Sequence, residues 1–206
     1  MNSAVSRTDY LLEAKEARMK NKRILLSIVA MIMLVLGCAL WRIQVSFTSN
    51  RTFANAASYG DNSSLKEHLA GGRSANTPIF GTQSSALQLA VLSGDLESCK
   101  LLVNSSADVN HKGENGESPI SLAVIADKPE IVKLLLNNSA NPNILDDKGL
   151  TPLHIAVKSK NHEIAKLLLE HGAKADAVTK KGSTPISIAE KVGDSAMLEL
   201  LRKYQP

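Results

Sequence analysis

The segment Gly149 to Ala156, Gly-Leu-Thr-Pro-Leu-His-Ile-Ala, recurs in weaker form at one fixed interval along this chain. Ser118-Pro119-Ile120-Ser121-Leu122-Ala123 precedes it, and Thr184-Pro185-Ile186-Ser187-Ile188-Ala189 follows it at the same distance. One further equal step toward the N-terminus reaches Ser85-Ala86-Leu87-Gln88-Leu89-Ala90, so Ser85, Ser118, Thr151 and Thr184 are evenly spaced. A strict period of roughly 33 residues marks an array of stacked supersecondary units, each too thin to bury its own apolar face. Within the period a Thr or Ser stands where a helix begins, its hydroxyl free to accept from an unpaired backbone N–H. Pro follows at the first helical position, where its missing N–H removes nothing.

The residues between Thr151 and Gly172 carry the pattern in full. Thr151-Pro152-Leu153-His154 opens a first helix, Glu163-Ile164-Ala165-Lys166-Leu167-Leu168-Leu169 forms a second, and Gly172-Ala173 closes the unit. These features resemble the ankyrin repeat, whose core pattern is Thr-Pro-Leu-His-x-Ala, and the resemblance covers residues 52–206. It implies an all-α solenoid of five units over 52–84, 85–117, 118–150, 151–183 and 184–206. Each unit is expected to run helix, tight turn, helix and a long loop ending in a β-turn, with the terminal units acting as caps. Leu153, Ala156 and Val157 are expected to face inward from a first helix, and Ile164, Leu167 and Leu168 from a second. An aromatic content of only 3% suits thin helical pairs packed through Ala and Leu. The pattern is broken at the turns, where Asp127, Lys160, Ser106 and Ser139 replace glycine. If the backbone stays left-handed there, each replacement costs about 1 kcal/mol.

Charge is unevenly placed. Residues 1–23 hold six basic side chains against three acidic ones, which leaves the rest of the chain near neutrality despite a net charge of +4. A nucleic-acid partner for the repeats is therefore not expected. After this basic tail, Ile24 to Trp41 is an uncharged run of 18 residues, close to the roughly 20 that cross a bilayer as a helix. It reads best as a single N-terminal transmembrane signal-anchor helix, followed by a short linker at 42–51. Two alternatives stay open: a cleaved signal peptide, and a lipoprotein signal in which Leu34-Val35-Leu36-Gly37-Cys38 presents Cys38 for lipidation. The basic cluster on the N-terminal side places the tail in the cytoplasm and the repeats across the membrane, which for a bacterial inner membrane means the periplasm. Cys99 is the one cysteine of the repeat region, so no internal disulfide is expected there.

Catalytic chemistry finds no foothold in the residues. His68, His111, His154, His162 and His171 contain no i, i+4 pair and join no Cys cluster that would hold a metal. The adjacent acids Asp146 and Asp147 fall at a turn tip, and no glycine-rich phosphate loop is present. The chain reads as a non-enzyme with no cofactor, metal or small-molecule substrate. The resemblance implies binding through the turn tips and the exposed concave side of the first helices. In this sequence that surface comprises Lys112, Glu114, Asn115, Glu117 and Ile125, then Leu145, Asp147, Lys148, Leu150 and Lys158, then Val178, Lys180, Lys181, Lys191 and Val192. The expected function is a membrane-anchored module that presents this surface to a protein partner as scaffold or stabiliser. The alternative is an immunity-type inhibitor that captures a toxic effector enzyme in the periplasm.

Overall fold

The computed structural model describes residues 49, 51–79 and 81–205. The basic tail, the apolar run at 24–41, Cys38 and most of the linker lie outside the described residues. Residues 49–206 form one compact unit. It is built from five helix pairs with no strand among the described residues: α1 (51–59) and α2 (Asn62–Ala70), α3 (Ala86–Ser93) and α4 (Leu96–Asn104), α5 (Pro119–Ile125) and α6 (Pro129–Asn137), α7 (Pro152–Lys158) and α8 (His162–Glu170), α9 (Pro185–Val192) and α10 (Ser195–Lys203). From the second pair onward each first helix packs on the next first helix, and second helices pack on one another throughout, giving two layers.

The helix starts follow the chemistry of the repeated Thr or Ser. Ser85, Ser118, Thr151 and Thr184 hold extended backbone and accept from the N–H three residues on. In three units the third residue reciprocates: Gln88 Oε1 accepts from Ser85 N at 2.9 Å, His154 Nδ1 from Thr151 N at 3.2 Å, and Ser187 Oγ from Thr184 N at 2.9 Å. Two orphan donors per helix are thereby satisfied. The helix ends carry the strain anticipated at the turns, since Ser106, Asp127, Ser139 and Lys160 hold φ of 62°, 52°, 66° and 56°. Gly94 and Gly193 occupy the equivalent inter-helix turn at 74° and 67° without that cost.

The core repeats with the caps. Ala90, Ala123, Ala156 and Ala189, five residues beyond each cap, are all 0% exposed, while the second helices bury Leu102, Leu135, Leu168 and Leu201 to the same degree. Small side chains let the first helices approach one another closely, and these helices form one layer, the inner one, with the Leu-bearing second helices as the outer layer. Leu153, Ala156, Val157, Ile164 and Leu168 point inward as expected. Leu167 does not: it is only partly buried, and Ala165 and Leu169 fill the interior beside Leu168. On a helix, positions 164, 165, 168 and 169 share one face, and 167 falls at its edge.

The first pair is set one residue further from the second than the later pairs are from one another. Gly60 and Asp61 match Gly94 and Asp95, and Phe53 takes the fully buried place of Leu87 and Leu153. The additional residue lies between Asn76 and Ser85. This unit lacks the Thr-Pro signature yet forms a complete helix pair, with the Arg73 guanidinium 5.2 Å over the Phe53 ring and His68 edge-on to it at 5.8 Å. Polar clamps tie the loops of successive units. Asn76, Asn110 and Asn143 donate to the carbonyls of Ser106, Ser139 and Gly172 at 2.8, 3.3 and 2.9 Å. Their own oxygens accept from the backbone of Asp108, Asn141 and Lys174 at 2.7, 2.7 and 2.8 Å.

Two consequences can be measured by chemical and thermal denaturation. Leu153→Ala and Leu168→Ala should each destabilise the repeats by about 2 to 5 kcal/mol, because each empties a fully buried site between units. Thr151→Ala should cost about 1 kcal/mol for the lost cap, and a larger loss than in Leu153→Ala would contradict the packing. The second consequence concerns pH. Burial holds the His154 imidazole below its usual range, against the raising effect of the Ser183 carbonyl 3.3 Å from Nε2. The unfolded chain then binds the proton more readily, so this stability is complete above about pH 6.5 and is lost as pH falls from that unfolded value through the lower folded one. His154→Gln should keep the fold and remove this part of the pH dependence, since Gln88 makes the same pair of contacts, to Ser85 N and to the Glu117 carbonyl at 2.7 Å. Asp194, whose carboxyl is lowered by the Met197 N–H and by His162, contributes stability that is lost only below the ordinary carboxylate range, and His154→Gln should leave that acid limb in place.

Candidate protein-binding surface

The loops between units end in tight tips of one design. Gly113, Asp146 and Thr179 donate to the carbonyls of Glu117, Leu150 and Ser183 at 2.9, 3.0 and 2.9 Å. Gly116, Gly149 and Gly182 close these tips with φ of 71°, 76° and 76°, a conformation that favours glycine. The Asp146 carboxylate serves the tip itself, its Oδ1 accepting from Lys148 N at 2.9 Å and Leu150 N at 2.7 Å. Neighbouring tips are joined through the backbone, with Asp147 N donating to the Asn115 carbonyl at 3.1 Å and Lys180 N to the Lys148 carbonyl at 3.4 Å. Two lysines fasten them further: Lys112 Nζ donates to the Leu145 carbonyl at 2.8 Å and Lys180 Nζ to the Asp147 carbonyl at 2.6 Å. The tips thus form a continuous, internally braced edge, so a ligand meeting it would order little chain.

Most of the residues anticipated from the sequence lie on this edge or beside it. Lys112, Glu114, Asn115, Leu145, Asp147, Lys148, Val178, Lys180 and Lys181 are exposed at the tips. Ile125, Lys158 and Lys191 are exposed on the last turns of α5, α7 and α9, on the inner side of the array. Three are less available than expected: Glu117, Leu150 and Val192 are half-buried, Leu150 because its backbone closes the tip onto Asp146. Two exposed apolar residues were not singled out in the sequence, Leu92 at 56% and Tyr59 at 83%. Leu92 was legible, being one period before Ile125 at 54%. Tyr59 stands one period before Leu92 in the sequence, but the extra residue in the first unit makes Ser93, not Leu92, its counterpart in the fold.

The chemistry of the remaining polar groups is structural. His154 is buried and both its ring nitrogens are engaged, Nδ1 with Thr151 at 3.2 Å and Nε2 with the Ser183 carbonyl at 3.3 Å. The Cys99 thiol is buried and pushed up to about 12, chiefly by desolvation, so it is held as the thiol and not the nucleophilic thiolate. Asp194 caps α10 and pairs with His162 Nε2 at 3.0 Å. No group of three His, Cys, Asp or Glu side chains could hold a metal among the described residues.

Comparison with known proteins finds one family. The model for ankyrin repeats, spanning three copies, matches residues 53–146 and again 121–206. No curated protein matches the chain.

The bracing of the tips can be tested with two glycines of equal φ. A Cβ on Gly149 would lie 2.8 Å from Lys180 N and 3.0 Å from Lys180 Cγ, whereas one on Gly182 meets nothing within 4 Å. Gly182→Ala should cost about 1 kcal/mol for its left-handed backbone alone. Gly149→Ala should cost clearly more, because the neighbouring tip must also move. Equal melting temperatures for the two variants would show that the tips do not support one another.

Proposed function

The chain belongs to the ankyrin-repeat family, and from that premise we propose that it is a membrane-anchored protein-binding module whose repeats face a partner across a bacterial inner membrane. Ankyrin repeats act as protein-interaction modules and are in general non-catalytic. The observation that carries the reading for this chain is the division of labour within each unit. Caps, Ala positions and Asn clamps repeat from unit to unit, while the tips and the last turns of the first helices change their side chains. A scaffold that holds its frame constant and varies its exposed positions suits recognition of a protein surface, with apolar Leu145, Val178 and Ile125 set among charges.

The anchor rests on the uncharged run at 24–41 and the basic residues before it. Among the described residues no helix is long and apolar enough to cross a membrane. Anchoring falls to residues 24–41, and the scaffolding or stabilising role to the repeats on the periplasmic side.

Protease added to spheroplasts, from which the outer membrane has been opened, should digest residues 52–206 and spare the N-terminal tail. Protection of the repeats would reverse the topology. Cys38→Ala should leave electrophoretic mobility unchanged if the run is an uncleaved anchor. A change in processing together with loss of lipid labelling would replace the anchor by a lipoprotein signal.

A further inference from the structure

Four positions are covered wherever another unit follows and are left open in the last described unit. Ile186 of α9 corresponds to Leu87, Ile120 and Leu153, and Glu190 to Val91, Val124 and Val157. Leu198 of α10 corresponds to Cys99, Val132 and Ala165, and Arg202 to Val103, Leu136 and Leu169. Every counterpart but the partly buried Val103 is buried, whereas Ile186 and Leu198 are half-buried and Glu190 and Arg202 are exposed. The four therefore form the end face of the array, on the side away from α7 and α8, against which α9 and α10 pack. Among the described residues neither the Glu190 carboxylate nor the Arg202 guanidinium joins an ion pair.

The layout of this face follows from helix periodicity. Glu190 lies one turn beyond Ile186 on α9, and Arg202 one turn beyond Leu198 on α10, so each pair shares one stripe of its helix. The two helices run antiparallel through the turn at Gly193 and Asp194. Ile186 is then level with Arg202 and Glu190 with Leu198, which sets the apolar side chains at two opposite corners of the face and the charges at the other two. A further unit with an apolar underside would bury both charges unpaired, at a large cost. Contact with water alone accounts for Glu190 and Arg202 but not for Leu198, which is larger than its counterparts Cys99, Val132 and Ala165.

We infer that this end face is self-complementary and joins a second copy of the chain in a two-fold dimer. A two-fold axis lying in the face along the line from Ile186 to Leu198 sets Ile186 against the second copy's Ile186 and Leu198 against the second copy's Leu198. The same axis sets each Glu190 against the second copy's Arg202. An axis along the other diagonal would oppose Glu190 to Glu190 and Arg202 to Arg202, so the charges select one arrangement of the two. From Pro185 to Lys203 the unit carries three acidic and three basic side chains, and no net charge opposes the approach. The apolar corners lose water on contact while the ion pairs at the rim fix the orientation. Helices of eight and nine residues offer a face smaller than the roughly 800 Å² per partner of a standard interface, so the dimer is weak and reversible. Anchoring of both copies in one membrane raises their effective concentration.

The experiment uses two differently tagged forms of the full chain, co-expressed and solubilised in mild detergent at low salt, with capture of one form by the other as the readout. Glu190→Arg in both forms, and separately Arg202→Glu in both forms, should each lower co-capture by about tenfold or more, because like charges then face one another. Glu190→Arg in one form with Arg202→Glu in the other should restore co-capture to within about twofold of the parent, since opposite charges again meet at both corners. The mixed pair contains the same two variant chains, so a folding defect would persist in it while the charge defect disappears. Absence of co-capture in the parent would overturn the inference. Co-capture that survives both single variants would overturn it too, by placing self-association elsewhere in the chain, and so would a loss that the mixed pair does not recover. Capture of a different protein through the tips is untouched by these variants, and the binding module therefore stands or falls separately.

Discussion

Contact between successive helix pairs is the interaction on which everything else in this molecule depends. A helix of seven to nine residues is too short to be stable alone, and a pair of them cannot enclose its own apolar stripe. Leu87, Ile120 and Leu153 reach 0% exposure because another unit lies over each of them. Ile186, the same position in the last described unit, is only partly buried. The stability of any unit is thus held jointly with its neighbours, and the loss of one buried Leu is felt along the array.

Small and large residues are divided between the layers. Ala fills one repeated buried position in the first helices and Leu the corresponding one in the second. Hydrogen bonds then fix the loops that packing leaves free. The Asn76, Asn110 and Asn143 clamps hold one unit's loop to the next, and backbone bonds between tips extend the same connection to the edge. Within this frame the chain tolerates non-glycine residues in left-handed backbone at Ser106, Asp127, Ser139 and Lys160, because stacking and capping over-determine those turns.

A frame of this kind separates stability from recognition. Side chains that point between units are mostly Ala, Leu, Ile and Val, and those at the tips and on the inner face are constrained by little except solubility. Exposed Tyr59, Leu92 and Ile125 add nothing visible to the core. The placement of Leu92 and Ile125 at one repeated position of successive first helices, followed by Lys158 and Lys191, is informative because the scaffold does not require it.

The sequence by itself determined the period, the caps, the helix pairing from the second unit onward, the turn positions where glycine is replaced and most of the buried Leu and Ala positions. All of these are local or repeat at a fixed spacing, and hydroxyl caps, proline and apolar periodicity report them directly. Tertiary structure decided the rest, because it depends on distances between units. The first unit was obscured by one additional residue between Asn76 and Ser85, and only the burial of Phe53 and the match of Gly60 to Gly94 restored its register. Leu167 moved to the edge of its helix face, and Leu150 was drawn half inside by the closure of its tip. Ile125, Lys158 and Lys191 were legible as one repeated position of the first helices, and stacking is what sets such residues, a full repeat apart, onto neighbouring turns, since repeat packing, and not sequence proximity, makes them neighbours.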